Sequence, residues 1–139
     1  MTTAEPNDGA RRDEGPGGGV YEWYRRGLDL LSQGNAAAAA QLLDRVAEAE
    51  PDSRSVREAL ARAQFDAGRY ADARDSFAVI VDANPTDDYA HFGLGLAATR
   101  TGDISTAVEH LALAVAMRPD LAHYRRALHG ARAARASGR

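Results

Sequence analysis

Pro51, Pro85 and Pro119 stand 34 residues apart, and Gly34, Gly68 and Gly102 keep the same step. So do Ala39, Ala73 and Ala107, while Gly27, Ala61 and Gly95 repeat a small residue at that period. Registers that agree at one period of this length signal stacked helical hairpins, because a single two-helix unit cannot bury its apolar face until neighbours stack on it. Composition points the same way. Alanine and leucine dominate and aromatics are 6% of the chain, a mixture that favours helix over sheet.

Each unit reads as helix, tight turn, helix, tight turn. Gly34, Gly68 and Gly102 close the first helices, where positive φ is wanted. Asn35 and Asp103 follow as N-caps of second helices. The prolines stop the second helices, and Asp52, Asp87 or Asp88, and Asp120 are placed to cap the next ones. The expected helices are 20–33, 36–49, 54–67, 70–83, 88–101, 104–117 and 120–136. Residues 1–19, rich in glycine and nearly free of apolar side chains, are expected to form a flexible tail, and 137–139 a disordered end.

Set in frames 20–53, 54–87 and 88–121, the chain resembles the tetratricopeptide repeat family. The first frame carries Trp23, Gly27, Leu30, Ala39, Leu43 and Pro51. The second carries Leu60, Ala61, Tyr70, Ala73, Phe77, Ile80 and Pro85, and the third Leu94, Gly95, Ala107, Leu111, Ala114 and Pro119. The resemblance spans Val20 to about Arg135 and implies an all-α solenoid of three hairpins plus a capping helix, seven helices in all. It implies an architecture rather than a ligand. The small residues at 27, 61 and 95 are expected to face Ala39, Ala73 and Ala107 where paired helices come closest.

Departures from the pattern mark the ends. The stripe that meets the preceding hairpin is Val56, Leu60, Ala63 and Ala67 in the second repeat and Ala90, Leu94, Ala97 and Thr101 in the third. In the first repeat it is Glu22, Arg26, Asp29 and Gln33, a solvated face. On the last helix Tyr124, Leu128 and Ala131 form the inward stripe, and Arg125, His129 and Arg132 the outward one. Polar outer faces are what the terminal helices of a soluble array require, so the sequence is expected to be a whole module.

Composition narrows the function. The net charge is −3, every basic residue is Arg, and cysteine is absent. Disulfides, thiolate metal sites and cysteine nucleophiles are thereby excluded. Balanced charge argues against nucleic acid or an anionic membrane as partner. The longest apolar run, Leu111 to Met117, is too short to span a bilayer, and the N-terminus lacks an apolar leader, so a cytoplasmic location is expected. The all-Arg usage associates with a GC-rich, bacterial genome. No phosphate loop, nucleophile elbow or zinc motif occurs. His91, His110, His123 and His129 read as partly exposed helix residues, so neither an enzyme nor a metal or cofactor site is expected.

In the resembled family the first helices line a concave groove that receives peptides or helices. The matching positions are Tyr21, Tyr24, Leu28 and Leu31, then Ser55, Glu58, Arg62 and Phe65, then Tyr89, Phe92, Leu96 and Thr99. His123 and Arg126 follow on the closing helix, and Arg100 stands beside the third set. Two aromatic strips thus flank a polar middle. Members that clamp a C-terminal carboxylate do so with a Lys/Asn set, and here Tyr24, Leu28, Ala59, His123 and Ala127 hold those places. The expected function is a non-enzymatic adaptor or scaffold that binds an apolar or amphipathic segment of another protein. The alternative is a scaffold that homo-oligomerises, and some groove aromatics could equally brace neighbouring hairpins.

Overall fold

The computed structural model describes Glu14, Gly15 and residues 18–138. Seven helices follow one another: α1 (Val20–Ser32), α2 (Ala36–Ala49), α3 (Arg54–Asp66), α4 (Tyr70–Ala83), α5 (Asp88–Arg100), α6 (Ile104–Met117) and α7 (Ala122–Ala136). Ahead of them, Glu14–Gly15 pairs antiparallel with Gly18–Gly19 in a two-residue ladder. The rest of the expected flexible tail, and Arg139, lie outside the described residues.

The periodic glycines do what their spacing implies. Gly34, Gly68 and Gly102 have φ of 81°, 82° and 87°, where a Cβ would be strained. Around Gly34, the Asn35 amide donates to the Leu30 carbonyl at 2.8 Å and the Gly34 amide to Leu31 at 3.0 Å. The same double closure recurs after α3 and α5, satisfying carbonyls that a helix end leaves orphaned.

The caps match the expectation in part. Asp103 Oδ1 accepts from the Thr106 amide at 3.1 Å and Asp87 Oδ1 from Ala90 at 3.0 Å. At α3 the cap is Ser53, whose hydroxyl accepts from the Val56 amide at 3.2 Å, and not Asp52. Ser53 is the extended residue directly before the helix, whereas Asp52 is one residue too early to reach the free amides of the first turn. Asp120 does not cap α7 either. Its carboxylate takes both arms of Arg118, at 3.0 and 2.8 Å, and α7 begins two residues later than expected, behind Leu121. Asn35 holds the cap position of α2 without a side-chain cap bond.

Burial forms a relay of three clusters. Leu31, Leu43, Val46 and Leu60 join α1, α2 and α3. Phe77, Ile80, Ala90 and Leu94 join α4 to α5, and Val108, Leu111, Leu128 and Ala131 join α6 to α7. Each hairpin is thus stabilised by its neighbours, as in any stacked array. The expected end faces hold: Glu22, Arg26, Asp29 and Gln33 are exposed, as are Arg125, His129 and Arg132. Thr101 is exposed rather than inward, because it caps α5 and its hydroxyl bonds the Ala98 carbonyl. A Cβ on Gly27 would stand 2.7 Å from Leu43, and one on Gly95 2.6 Å from Leu111. The nearest neighbours are therefore these leucines, and at Gly95 the carbonyl of Ala107, expected to face it, also lies 3.3 Å from the Cβ position. Among the described residues, no helix is long and apolar enough to cross a membrane.

Candidate functional site

The expected groove residues resolve into two recesses. The first, of about 260 Å³, lies between α3 and α5, with Arg62, Phe65 and Asp66 on one wall and Tyr89, Phe92 and Leu96 on the other. Phe77 of α4 and Gly93 complete it. A Cβ on Gly93 would fall 2.4 Å from the Phe77 ring, so only glycine lets that ring sit where it does. The second recess, of about 290 Å³, opens at the N-terminal ends of α1 and α3 and is lined by Val20, Tyr21, Tyr24, Ser55 and Val56, with Val46 and Glu50 of α2 behind.

A file of aromatic rings runs along the first recess. Tyr89 meets Phe77 edge-on at 6.0 Å, and Phe92 stacks on Tyr124 of α7 at 4.4 Å. Phe92 also meets His123 edge-on at 5.3 Å. Such pairs each contribute about 0.5–1.5 kcal/mol beyond their buried area. Phe92 and Tyr89 are half-buried, so each both braces α5 and shows a face to the recess. The Tyr124 hydroxyl donates to Asp88 Oδ2 at 2.7 Å; burial first, then this bond, raises its pKa. Burial also raises the Tyr89 phenol, with Arg62 opposing and Glu58 and Asp66 adding to the rise.

Arg100 sits at the C-terminal end of α5. Its guanidinium lies 5.2 Å from the Phe65 ring centre and 5.0 Å from Tyr70, and donates to the Tyr70 hydroxyl at 2.6 Å. This ties the α3–α4 turn to α5 and holds Phe65 as a fixed wall. Thr99 satisfies its hydroxyl on the Gly95 carbonyl at 3.0 Å.

Not every expected residue joins the two recesses. Tyr21 is 64% exposed and lines the second, together with half-buried Tyr24. Leu28 packs half-buried on the first core cluster, in neither recess. Leu31, expected in the groove, is core: it is 9% exposed, packed in the cluster that joins α1, α2 and α3. Arg126 stands apart on the outer side of α7, beside Arg125, His129 and Gly130.

Asp66 and Gly93 join the site without having been singled out by the sequence, and Phe77 and Tyr70, read there only as repeat-pattern residues, join it too. Gly93 carried a signal, being a glycine outside the repeat registers, with Ala59 and Arg25 at its counterparts. The histidines need one correction. His91 is 4% exposed, not partly exposed, with Nε2 2.7 Å from the Pro85 carbonyl and Nδ1 2.9 Å from His110 Nδ1. A carbonyl can only accept, so Nε2 of His91 carries a proton toward Pro85, while the two Nδ1 atoms share one hydrogen bond across the hairpin. Among the described residues, no group of three or more His, Asp or Glu converges as a metal site would require.

Two sequence profiles, both described as tetratricopeptide repeat, match residues 24–88 and 65–134. Solved structures of the same shape include MamA, from residue 41 to its end, of Desulfovibrio magneticus RS-1: it is 22% identical with a TM-score of 0.79, over 84% of this chain and 66% of that one. The first repeat domain of Spaghetti (RPAP3) bound to the HSP90 peptide SRMEEVD is 18% identical with a TM-score of 0.78, over 84% of this chain and 93% of that one. The first such domain of human RPAP3 is 19% identical with a TM-score of 0.76, over 85% and 93%. At these identities the likeness is one of fold. No protein of curated function matches the sequence.

Proposed function

The chain belongs to the tetratricopeptide repeat family, and we propose that it is a protein-interaction module that acts by binding alone. Its partner is an apolar or amphipathic segment of another protein, laid along the face formed by α1, α3 and α5. The observation that carries this reading is the recess between α3 and α5. Phe65, Phe77, Tyr89, Phe92 and Leu96 surround room for a large apolar side chain, with Arg62 and Asp66 at its side to orient a polar neighbour. The RPAP3 domain, alike in fold, holds an HSP90 peptide. Here the Lys/Asn set with which family members clamp a terminal carboxylate is replaced by Tyr24, Leu28, Ala59, His123 and Ala127. That favours recognition of an internal, apolar stretch over a chain end.

Selection of displayed random peptides on the intact chain tests this. Selected sequences should share a large apolar residue, and Leu96→Glu should abolish their binding while helical circular dichroism is unchanged. Peptides that bind the folded variant as well as wild type would remove the recess from the function.

A further inference from the structure

The last helix carries charge of one sign. After Asp120 the sequence has five of the 17 arginines and none of the 20 acidic residues, so the first 120 residues hold twelve arginines against twenty acids. Tyr124, Leu128 and Ala131 face inward, while Arg125, Arg126, His129 and Arg132 are exposed. By the repeat's own register, the outer face of α7 is a seat for a helix. His129 lies 34 residues after Gly95, Arg125 34 after His91, and Arg132 68 after Gln64. Each of those counterparts touches the second helix of its hairpin: Gly95 abuts Leu111, His91 bonds His110 at 2.9 Å, and Gln64 Oε1 accepts from Ser76 at 2.7 Å. On α7 the seat is bordered by Ala122 and Gly130, which leave an open hollow of about 550 Å³ beside His129.

A complementary face exists on the same molecule. Helix α4 exposes Asp75, Val79 and Asp82, spaced four and three residues apart like Arg125, His129 and Arg132. Val79 is 48% exposed, and among the described residues neither Asp75 nor Asp82 has an ion-pair partner. In both stripes the outer charges are two turns apart, about 10.5 Å at 1.5 Å per residue. Helices laid side by side bring one arginine to each aspartate, with Val79 over His129.

We propose that the outer face of α7 docks on the outer face of α4 of a second copy of this chain. The two faces differ, so the contact is heterologous and each bound copy still offers a free seat, giving rings or open chains. A long polyanion suits the seat less well, since it would run on against the acid-rich remainder of the molecule. Exposed ion pairs are individually weak and screened, so association rises with protein concentration and falls with salt.

The test is sedimentation velocity over a wide concentration range, at about 0.01 M and about 1 M salt, where the screening length falls from ~30 to ~3 Å. Wild type should associate at low salt and be monomeric at high salt. Arg125→Glu/Arg132→Glu should be monomeric in both, and so should Asp75→Arg/Asp82→Arg, each with unchanged helical circular dichroism. An equimolar mixture of the two variants should associate again, since each then offers the seat the other has lost. A wild type that stays monomeric throughout overturns the proposal. So does self-association that survives in either swapped variant, or a mixture of folded variants that stays monomeric. A monomer that instead binds a duplex oligonucleotide through α7 overturns it in favour of nucleic acid.

Discussion

The ring of Phe77 occupies the space that a side chain on Gly93 would need, 2.4 Å from the ideal Cβ position. In the first and third hairpins the tight approach is internal, Gly27 on Leu43 and Gly95 on Leu111. The second hairpin has Ala61 where the others have glycine and Phe77 where they have leucine, and the tight approach moves outward to Gly93 of the next hairpin. Gly93→Ala is therefore expected to destabilise by about 1–3 kcal/mol through overpacking, against the up to ~1 kcal/mol that alanine contributes as a helix former. Gly130→Ala, with nothing within 4 Å of the new Cβ, should stabilise by about 0.5–1 kcal/mol. Denaturant melts of both variants check the contrast in sign.

Phe92→Ala should lower stability as well as peptide binding, by at least the ~0.5–1.5 kcal/mol of an aromatic pair, because the ring stacks on Tyr124. Leu96→Glu should lose binding alone. Melting temperature measured beside peptide affinity separates the two: loss of binding by Phe92→Ala at wild-type stability would mean that the stack does not brace α5.

Arg74 is expected to govern the titration of Asp103. Its guanidinium bonds Asp103 Oδ2 at 2.7 Å and, with the hydroxyl and amide of Thr106, holds the carboxyl down to about 2. Arg74→Gln should move the Asp103 midpoint up toward the ordinary carboxylate range in a carbon-detected NMR titration. The linked stability is present above the unfolded value and is lost as pH falls from about 4 toward 2. An unmoved midpoint would leave Thr106 as the sole cause.

Acid should also act through His110, whose pKa is lowered by burial first and by His91 second. A histidine lowered in the folded state binds fewer protons than in the unfolded chain, so stability rises with pH in the interval between the two values. Melting temperature should fall as pH drops below about 6.5, the ordinary histidine value, and His110→Gln should flatten that slope. Equal slopes in the two proteins would count against it.

The fold was legible because its signals are local and repeated. A glycine at positive φ and a proline after a helix act within a few residues, so Gly34, Gly68 and Gly102 bounded the first helices to within a residue. Polar end faces were legible for the same reason, since Glu22, Arg26, Asp29 and Gln33 share one side of one helix. The site was legible only as a set of positions. Whether Phe92 lies open or braced depends on Tyr124, 32 residues away, and the His91–His110 bond joins two helices whose facing edges no single-helix pattern specifies. Leu31 was misplaced for a related cause. It sits one residue from the end of α1, in the cluster that also holds Ala36 and Ala40 of the returning α2, on a side that the helix period alone leaves open. Asp52 and Asp120 show the narrower limit that a good capping residue one position early finds another role, or none.

The polar contacts inside the hairpins give each helix an identity. Leu42, Ser76 and His110 hold one register on the three second helices, yet Ser76 answers Gln64 and His110 answers His91. If α4 and α6 exchanged places, in a shuffled repeat, Gln64 would face an imidazole and His91 a hydroxyl of another reach, and buried groups would lose partners at roughly 1–3 kcal/mol each. The array is periodic in shape but not in pairing, so its hairpins cannot be traded like identical bricks.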